Sequence, residues 1–265
     1  RQLLKIFLIA FGLMACSKED SSKGRIGFVH DGLGGVVADE PSSARIGRDI
    51  LSSGGNAVDA VVATYFAMAV TNPASATLGG GGVCVVQKGG KGEVAAIDFR
   101  SKAYSYRTKQ VMIPGSVRGF FALHARFGLL KWETLLFPAE HLARFGNRVP
   151  RAFAEVLSSK PKKFLISAEV KKLFYPRGVP LAEGKILKQP ELASTLGIIR
   201  SSGPVEFYNG SIARQLQKYF ARELGVKVPL GAVSSFRPLW SDPITVRVRT
   251  NFIHFPSGEI GREAV

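Results

Sequence analysis

GGNAVDA at residues 54–60, LGGGG at 78–82 and IDFR at 97–100 form the most informative stretch of this chain. Asn56 is a preferred N-cap residue, and the run after it is apolar almost all round, which predicts a buried helix. Neither Lys-Ser nor Lys-Thr follows the glycines, so they do not form a phosphate loop. They predict backbone that packs closely against a neighbour.

Two short apolar segments after the glycines predict a β-hairpin. Val83–Gln87 and Glu93–Phe99 have the pattern of strands, and the Gly-rich residues 88–92 supply the turn between them. The hairpin delivers Arg100 to the end of the second strand. Because a guanidinium is always charged and can pair with a carboxylate through two hydrogen bonds, Arg100 is a candidate receptor for an amino-acid head group. Spacing alone favours a surface ion pair instead.

These motifs resemble the start of the large subunit of the gamma-glutamyltransferases, the autoprocessing N-terminal-nucleophile hydrolases that cleave or transfer the gamma-glutamyl group of glutathione. Residues 54–60, 78–82 and 98–100 are similar to the family's GGNAVDA, LGGGG and DFR signatures. Further similar motifs follow in the family's order: IPG at 113–115, LKQPELASTL at 187–196 and FYNG at 207–210. The resemblance covers roughly residues 36–258.

The resemblance implies an α+β fold: a partial Ntn-hydrolase αββα sandwich with a large helical section, incomplete in this chain. The family's nucleophile is a threonine at the start of the small subunit, within a Thr-Thr-His sequence, whose own amine acts as the base. No threonine here begins such a sequence; they are Thr64, Thr71, Thr77, Thr108, Thr134, Thr195, Thr245 and Thr250. We therefore expect no catalytic residue in this chain, which is then a fragment or a pseudoenzyme and is expected to be inactive alone.

The function that the resemblance implies is gamma-glutamyl transfer, or hydrolysis of glutathione and related gamma-glutamyl compounds. This chain would supply Arg100 to bind the α-carboxylate, and a nucleophile-bearing small subunit or C-terminal half would complete the site. One departure weakens the match: the family continues with glutamate and an Ala-Pro turn, where this chain has Ser101 to Tyr104. The alternative is a catalytically inactive, membrane-tethered remnant or binding protein on the same scaffold.

The N-terminus has the features of a lipoprotein signal. Residues 1–16 place basic residues before an apolar stretch too short to span a bilayer, and the end, Leu13 to Cys16, resembles a bacterial lipobox. We expect Cys16 to carry a lipid, residues 17–25 to form a polar tether, and residues 26–265 to form the partial large-subunit domain. The expected location is the periplasmic face of the bacterial cell envelope. The alternative is a buried N-terminal helix.

Charge and composition exclude several other classes of protein. The formal charge is +16, but the basic residues are spread along the chain without interleaved aromatics, so we expect solvated helix faces and no nucleic-acid partner. The four histidines show no metal-ligand spacing, and we expect no metal and no cofactor. Cys84, among valines, is expected to be a small buried hydrophobic residue and not a nucleophile.

The rest of the chain is predicted to be mainly helical. Residues 43–53 form a short helix, and the segment from Ser116 to about Ala221 is largely helical, with breaks at glycines and prolines. His124 shares an apolar helix face, so we expect a hydrogen-bonded core or rim residue there. The alternating pattern of residues 243–249 predicts a strand that would add to the sheet of the sandwich.

Overall fold

A computed structural model describes residues 34–89, 92–159 and 167–258, and from Val36 onward the chain forms one compact unit. The predicted signal at 1–16 with Cys16, the tether at 17–25 and the first residues of the predicted domain lie outside the described residues. The helices are α1 Pro41–Ser52, α2 Ala57–Thr71, α3 Ser116–Phe127, α4 Trp132–Phe145, α5 Arg151–Ser159, α6 Ala168–Phe174, α7 Pro190–Ser202, α8 Val205–Tyr208, α9 Ser211–Glu223 and α10 Leu230–Ser234. The strands are β1 Val83–Gln87, β2 Val94–Asp98, β3 Lys102–Tyr106, β4 Lys109–Ile113, β5 Asn147–Arg148, β6 Ile186–Leu187, β7 Leu239–Ser241, β8 Ile244–Val248 and β9 Asn251–Phe255.

The predicted cap of the buried helix is confirmed. The side chain of Asn56 accepts hydrogen bonds from the backbone amides of Val58 and Asp59, and the Asp59 carboxylate accepts one from the Asn56 amide. This reciprocal pair satisfies amides that a helix start leaves without partners. Helix α2 is buried on nearly every side, as its composition predicts, and it lies at the centre of the core.

The predicted hairpin is also confirmed, with a slightly shorter second strand. β1 and β2 are antiparallel, and Val83 pairs with Asp98 at the end that leads to Arg100. β2 pairs on its other side with β7, so the three-stranded sheet has the order β1-β2-β7. The central strand β2 is therefore the most buried of the three.

Two further hairpins lie outside this sheet. β3 and β4 form one, which the sequence reading did not predict, and β8 and β9 form the other. The predicted strand at 243–249 is present as β8. The expectation that it joins the main sheet is wrong within the described residues, because a two-residue turn at Arg249 and Thr250 folds the chain back and gives β8 its partner in β9.

Buried aromatic rings tie the helices of the main core together. Phe66 on α2 lies edge-on to Trp132 on α4, with ring centroids 5.6 Å apart, and to Phe120 on α3 at 6.1 Å. The Trp132 indole donates a hydrogen bond of 3.0 Å to the carbonyl oxygen of Ile199 on α7. The buried Gln189 amide likewise donates to Val70 O at 2.8 Å.

A second, smaller apolar cluster lies apart from the main core. Its buried residues are Val149, Phe153, Ala154, Leu157, Tyr175 and Leu187. The short β5–β6 ladder joins it to the end of α4. Across the described residues, no helix combines the length and the apolar character that a membrane crossing needs.

Candidate functional site

The candidate site lies where the glycine run, the end of β2 and the start of α3 meet. The Gly80 carbonyl oxygen accepts hydrogen bonds from the amides of Gly115, at 2.8 Å, and Ser116, at 3.0 Å. The Phe99 amide donates to the Gly82 carbonyl oxygen at 2.9 Å. The glycine run is thus joined through backbone hydrogen bonds to Phe99, just before Arg100, and to the start of α3.

Close packing requires a glycine at position 81 of the glycine run and at positions 115 and 119 around it. A Cβ placed on Gly81 would lie 2.4 Å from the Ser101 amide nitrogen, and one on Gly115 would lie 1.8 Å from the Phe99 carbonyl oxygen. On Gly119, in α3, a Cβ would lie 2.1 Å from the Phe99 ring. Backbone at these positions leaves no room for a side chain, so the path of the chain at Phe99 is closely fixed.

Arg100 lies two residues after the end of β2, and its guanidinium is bound to Asp98. Nε lies 3.1 Å from Oδ1 and 3.0 Å from Oδ2 of Asp98, and Nη2 lies 2.7 Å from Oδ2. The hydrogen bonds from Arg100 lower the pKa of the Asp98 carboxyl, so that it stays ionised at neutral pH. The Arg100 side chain remains 49% exposed. The ion pair that base rates favour is therefore present, and the guanidinium remains open to solvent.

Residues after Arg100 continue into β3 and bring further polar groups to this end of the sheet. The Ser101 hydroxyl donates a hydrogen bond of 3.3 Å to the Gly79 carbonyl oxygen. The Lys102 ammonium lies 5.6 Å from the centre of the Phe236 ring, and its charge also lowers the pKa of Asp98. Two cationic residues, Arg100 and Lys102, thus flank Ser101 in the sequence.

Two tyrosines that the sequence reading did not assign to the site fix the turn before α3. The Tyr65 hydroxyl donates to Thr77 O at 2.8 Å and bonds to the Ser116 hydroxyl at 2.6 Å. The buried Tyr208 hydroxyl donates to Pro114 O at 2.9 Å. Desolvation raises the pKa of both phenols, so both remain neutral donors. Tyr208 belongs to the FYNG motif, which was the available signal.

Arg118 supports the same turn from α3. Its guanidinium lies 4.0 Å from the centre of the Tyr208 ring, donates to Ser234 O at 3.0 Å, and makes a short contact with Phe236 O. Desolvation, with the nearby charge of Arg237, lowers the pKa of Arg118. The residue therefore holds α3, Tyr208 and the segment after α10 together.

A large cavity lies beside the start of the glycine run. It has a volume of about 690 Å³ and its lining includes Leu78, Gly79, Pro114, Phe207 and Tyr219, but not Arg100.

The structure also bears on the expectations for His124 and Cys84. His124 Nε2 bonds to Leu130 O at 2.7 Å, which confirms a hydrogen-bonded rim residue. Burial raises the pKa of the Cys84 thiol to about 11, consistent with an unreactive thiol.

The described part of the chain also lacks an evident metal site. No group of three or more His, Cys, Asp or Glu side chains in residues 34–89, 92–159 and 167–258 is placed to hold a metal ion. The candidate site therefore consists of an ion-paired, half-exposed arginine near a strand end, next to a turn that glycine packing, the partly buried Tyr65 and the buried Tyr208 hold in place. Such an arrangement can bind an anion at a defined position.

Comparison with known proteins gives consistent matches. The family model described as Gamma-glutamyltranspeptidase matches residues 43–260. The chain is 34% identical to the glutathione hydrolase proenzyme of Escherichia coli strain K12, over 73% of this chain and 37% of that protein. It is 30% identical to glutathione hydrolase 3 of Arabidopsis thaliana, over 88% of this chain and 39% of that protein. The chain thus spans about two fifths of the length of these curated relatives.

The structural match is equally clear. The crystal structure of Helicobacter pylori gamma-glutamyltranspeptidase is similar, with a TM-score of 0.80 and 31% identity, over 87% of this chain and 71% of that chain. This likeness confirms the predicted α+β class and the Ntn-hydrolase fold for the part of the fold that the chain covers.

Proposed function

This chain belongs to the gamma-glutamyltranspeptidase family, and from that membership we propose that Arg100 binds the α-carboxylate of a gamma-glutamyl compound. The reaction is gamma-glutamyl transfer, or hydrolysis of glutathione and related gamma-glutamyl compounds. One observation carries the proposal: the Arg100 side chain is half exposed just after β2 and is bound to Asp98, and its backbone lies against Gly81, where no side chain fits. A fixed, partly solvated arginine loses little conformational entropy when it pairs with a carboxylate.

Asp98 has a positioning role in this proposal. It binds Nε and Nη2 of Arg100, which sets the plane of the guanidinium before a ligand arrives. Lys102 adds positive charge to the same end of the sheet and so offsets the Asp98 carboxylate. The α-carboxylate of the ligand then approaches the solvent-facing part of the guanidinium.

The nucleophile is proposed to come from a small subunit or a C-terminal half that packs against the strands after α10. Several large apolar side chains there are exposed: Leu239 at 57%, Val248 at 45%, Phe252 at 62% and Ile253 at 43%. β1 and β7 are also the outer strands of the described sheet, and each has an edge open to further pairing. Exposed apolar strands of this kind favour coverage by another segment.

The test of the carboxylate role is turnover of gamma-glutamyl-p-nitroanilide by the protein as its gene encodes it, with any further segments. We expect Arg100→Ala to raise KM about 30-fold or more, since a desolvated charged pair contributes ~2 to 3 kcal/mol. Arg100→Lys should recover part of the loss. Arg48→Ala is the matched control, because Arg48 is also half exposed and paired with a neighbouring aspartate, Asp49. An unchanged KM in Arg100→Ala would show that the role is wrong.

Absence of turnover in the unmodified protein would favour the alternative, an inactive remnant or binding protein. In that case, calorimetric titration with L-glutamate decides between the two forms of the alternative. Binding that Arg100→Ala abolishes would indicate a binding protein. No heat of binding would indicate a scaffold that has lost the site.

A lipid anchor at Cys16 and a location at the periplasmic face of the bacterial cell envelope belong to the same proposal. They are supported by the basic and apolar pattern of residues 1–16 and by the polar residues that follow. We expect Cys16→Ser to abolish incorporation of labelled palmitate. Cys84→Ser is the control, and equal labelling of the Cys16→Ser variant would contradict the anchor.

A further inference from the structure

Helix α4 carries an exposed row of aromatic side chains with no function in the core or in the candidate site. Phe137 is 57% exposed and Phe145 is 60% exposed, and His141 lies between them on the same face. The His141 ring centroid is 6.1 Å from that of Phe137 and 4.6 Å from that of Phe145. Three rings spaced four residues apart form a continuous apolar ridge about 12 Å long.

The apolar surface continues past the end of α4. Ile186, on β6, is 55% exposed and pairs with Arg148 of β5. A Cβ placed on Gly146 would meet the side chains of Ile186, at 2.7 Å, and Lys188, at 3.1 Å, so both lie over the residue next to Phe145. We call this surface the α4 face: Phe137, His141, Phe145 and Ile186.

Cationic side chains border the α4 face. Arg148, Lys185 and Lys188 are exposed, and among the described residues none of them forms a salt bridge; the Arg148 guanidinium bonds only to a backbone carbonyl, Gly184 O, at 3.3 Å. Most of the carboxylates nearby are occupied; Glu133, exposed on α4 four residues before Phe137, offsets one of these three positive charges. Glu140 is bound by both Arg144 and Arg200, and Glu155 is bound by Arg151. Glu183 also lies close to Arg151. A positive excess therefore remains around the apolar ridge.

We propose that the α4 face binds the surface of an anionic phospholipid bilayer. Phenylalanine rings on a convex helix face can enter the headgroup region of a bilayer, while arginine and lysine side chains at their edge reach lipid phosphates. Residues 132–145 are helical, so this face presents no strand edge with which a protein strand could pair. The charge of +16 adds a general attraction to an anionic surface. The proposal is independent of the gamma-glutamyl site and of any lipid at Cys16.

A site-specific fluorescence experiment tests it, in the full chain with Cys16→Ser and Cys84→Ala so that no anchor or second thiol is present. NBD attached at His141→Cys reports the α4 face, and NBD at Arg222→Cys, on the exposed side of α9, is the matched control. We expect a blue shift and quenching by brominated lipid at position 141 with vesicles of phosphatidylcholine and phosphatidylglycerol, and none at position 222. An equal response at both positions, or no response at 141, overturns the proposal.

Co-sedimentation with the same vesicles gives the second measurement. We expect Phe137→Ser with Phe145→Ser to lower the partition coefficient at least tenfold, and Arg148→Gln with Lys188→Gln to lower it about 25-fold, since each cation near an anionic surface contributes about fivefold. Phe252→Ser with Ile253→Ser removes two exposed apolar side chains from β9 and should leave the partition coefficient unchanged. If this control falls as far as the α4 variants, attachment is non-specific and the proposal is wrong. Binding to an acidic protein and not to vesicles would also overturn it.

Discussion

Gly115 shows how single residues define the candidate site. It precedes α3, and its amide donates a hydrogen bond to Gly80 O. Its Cα lies so close to the Phe99 carbonyl oxygen that a Cβ does not fit between them. A methyl group there must displace backbone and not a flexible side chain. The position of Arg100, one residue after Phe99, therefore depends on the absence of a side chain at Gly115.

We expect Gly115→Ala to destabilise the protein by about 3 kcal/mol or more, because overpacking against backbone cannot be relieved by a rotamer change. The measurement is urea unfolding followed by circular dichroism. Gly231→Ala is the matched control: Gly231 also lies near a helix start, in α10, but a Cβ there meets nothing within 4 Å. That variant should change stability by less than about 1 kcal/mol. Equal effects of the two substitutions would contradict the packing argument.

For Asp59, the sequence predicts the local interaction at the helix start but not its distant hydrogen-bond partners. Its position at the start of α2 predicts a favourable interaction with the positive end of the helix, and the capping box is present. The carboxylate is in addition fully buried and accepts hydrogen bonds from the amides of Leu129, at 3.0 and 3.1 Å, and Leu130, at 3.2 Å. Those partners are about 70 residues away, and no local pattern could have identified them.

At the scale of elements, local signals predict some pairings and miss others for a physical reason. The β1–β2 hairpin has glycines in its turn, which accept any backbone conformation, and it was predicted. The β3–β4 and β8–β9 hairpins turn through Arg-Thr pairs instead, with Arg107 at φ 54° and Arg249 at φ 56°. A positive φ is unfavourable for arginine and has no sequence signal. The strands of these two hairpins, and not their turn residues, must therefore stabilise the pairing.

The second apolar cluster is an element-scale unit with its own stability. Phe153 on α5 is 3% exposed and meets the Phe174 ring edge-on, with centroids 5.3 Å apart. We expect Phe153→Ala to remove about 3 to 5 kcal/mol of packing from this cluster. Hydrogen exchange measured by mass spectrometry should show loss of protection in 149–159 and 167–187 with α2 unchanged.

Phe66→Ala is the contrasting variant for this experiment. Phe66 is fully buried on α2 in the main core. Its truncation should lower protection in α2, α3 and α4 together. If Phe153→Ala lowered protection across the main core to the same extent, the two clusters would form one cooperative unit and the expectation would be wrong.

The charge distribution is a property of the whole molecule. Thirty-six lysines and arginines stand against 20 aspartates and glutamates. Several ion pairs among the described residues join exposed side chains within four positions of each other, where each pair contributes little. Repulsion among the unpaired cations therefore opposes the compact state.

We expect the melting temperature to rise by a few degrees between about 10 and 150 mM NaCl, since salt screens this repulsion. Differential scanning calorimetry is the measurement. Lys171→Glu with Lys172→Glu lowers the formal charge from +16 to +12, two units for each change, and should reduce the salt response. A melting temperature that falls with salt in the unmodified protein would show that attractive ion pairs dominate.

The pairing of β2 with β7 has a consequence for the order of folding. β2, residues 94–98, cannot form its second strand pair until β7, residues 239–241, is available. The chain between these two strands contains most of the helices. During synthesis on the ribosome, β1, β2 and the α1–α2 pair can assemble early, while one edge of β2 stays unpaired until residues 239–241 have emerged. This high contact order places the slowest step of folding at β2, which ends two residues before Arg100, the proposed ligand-binding residue.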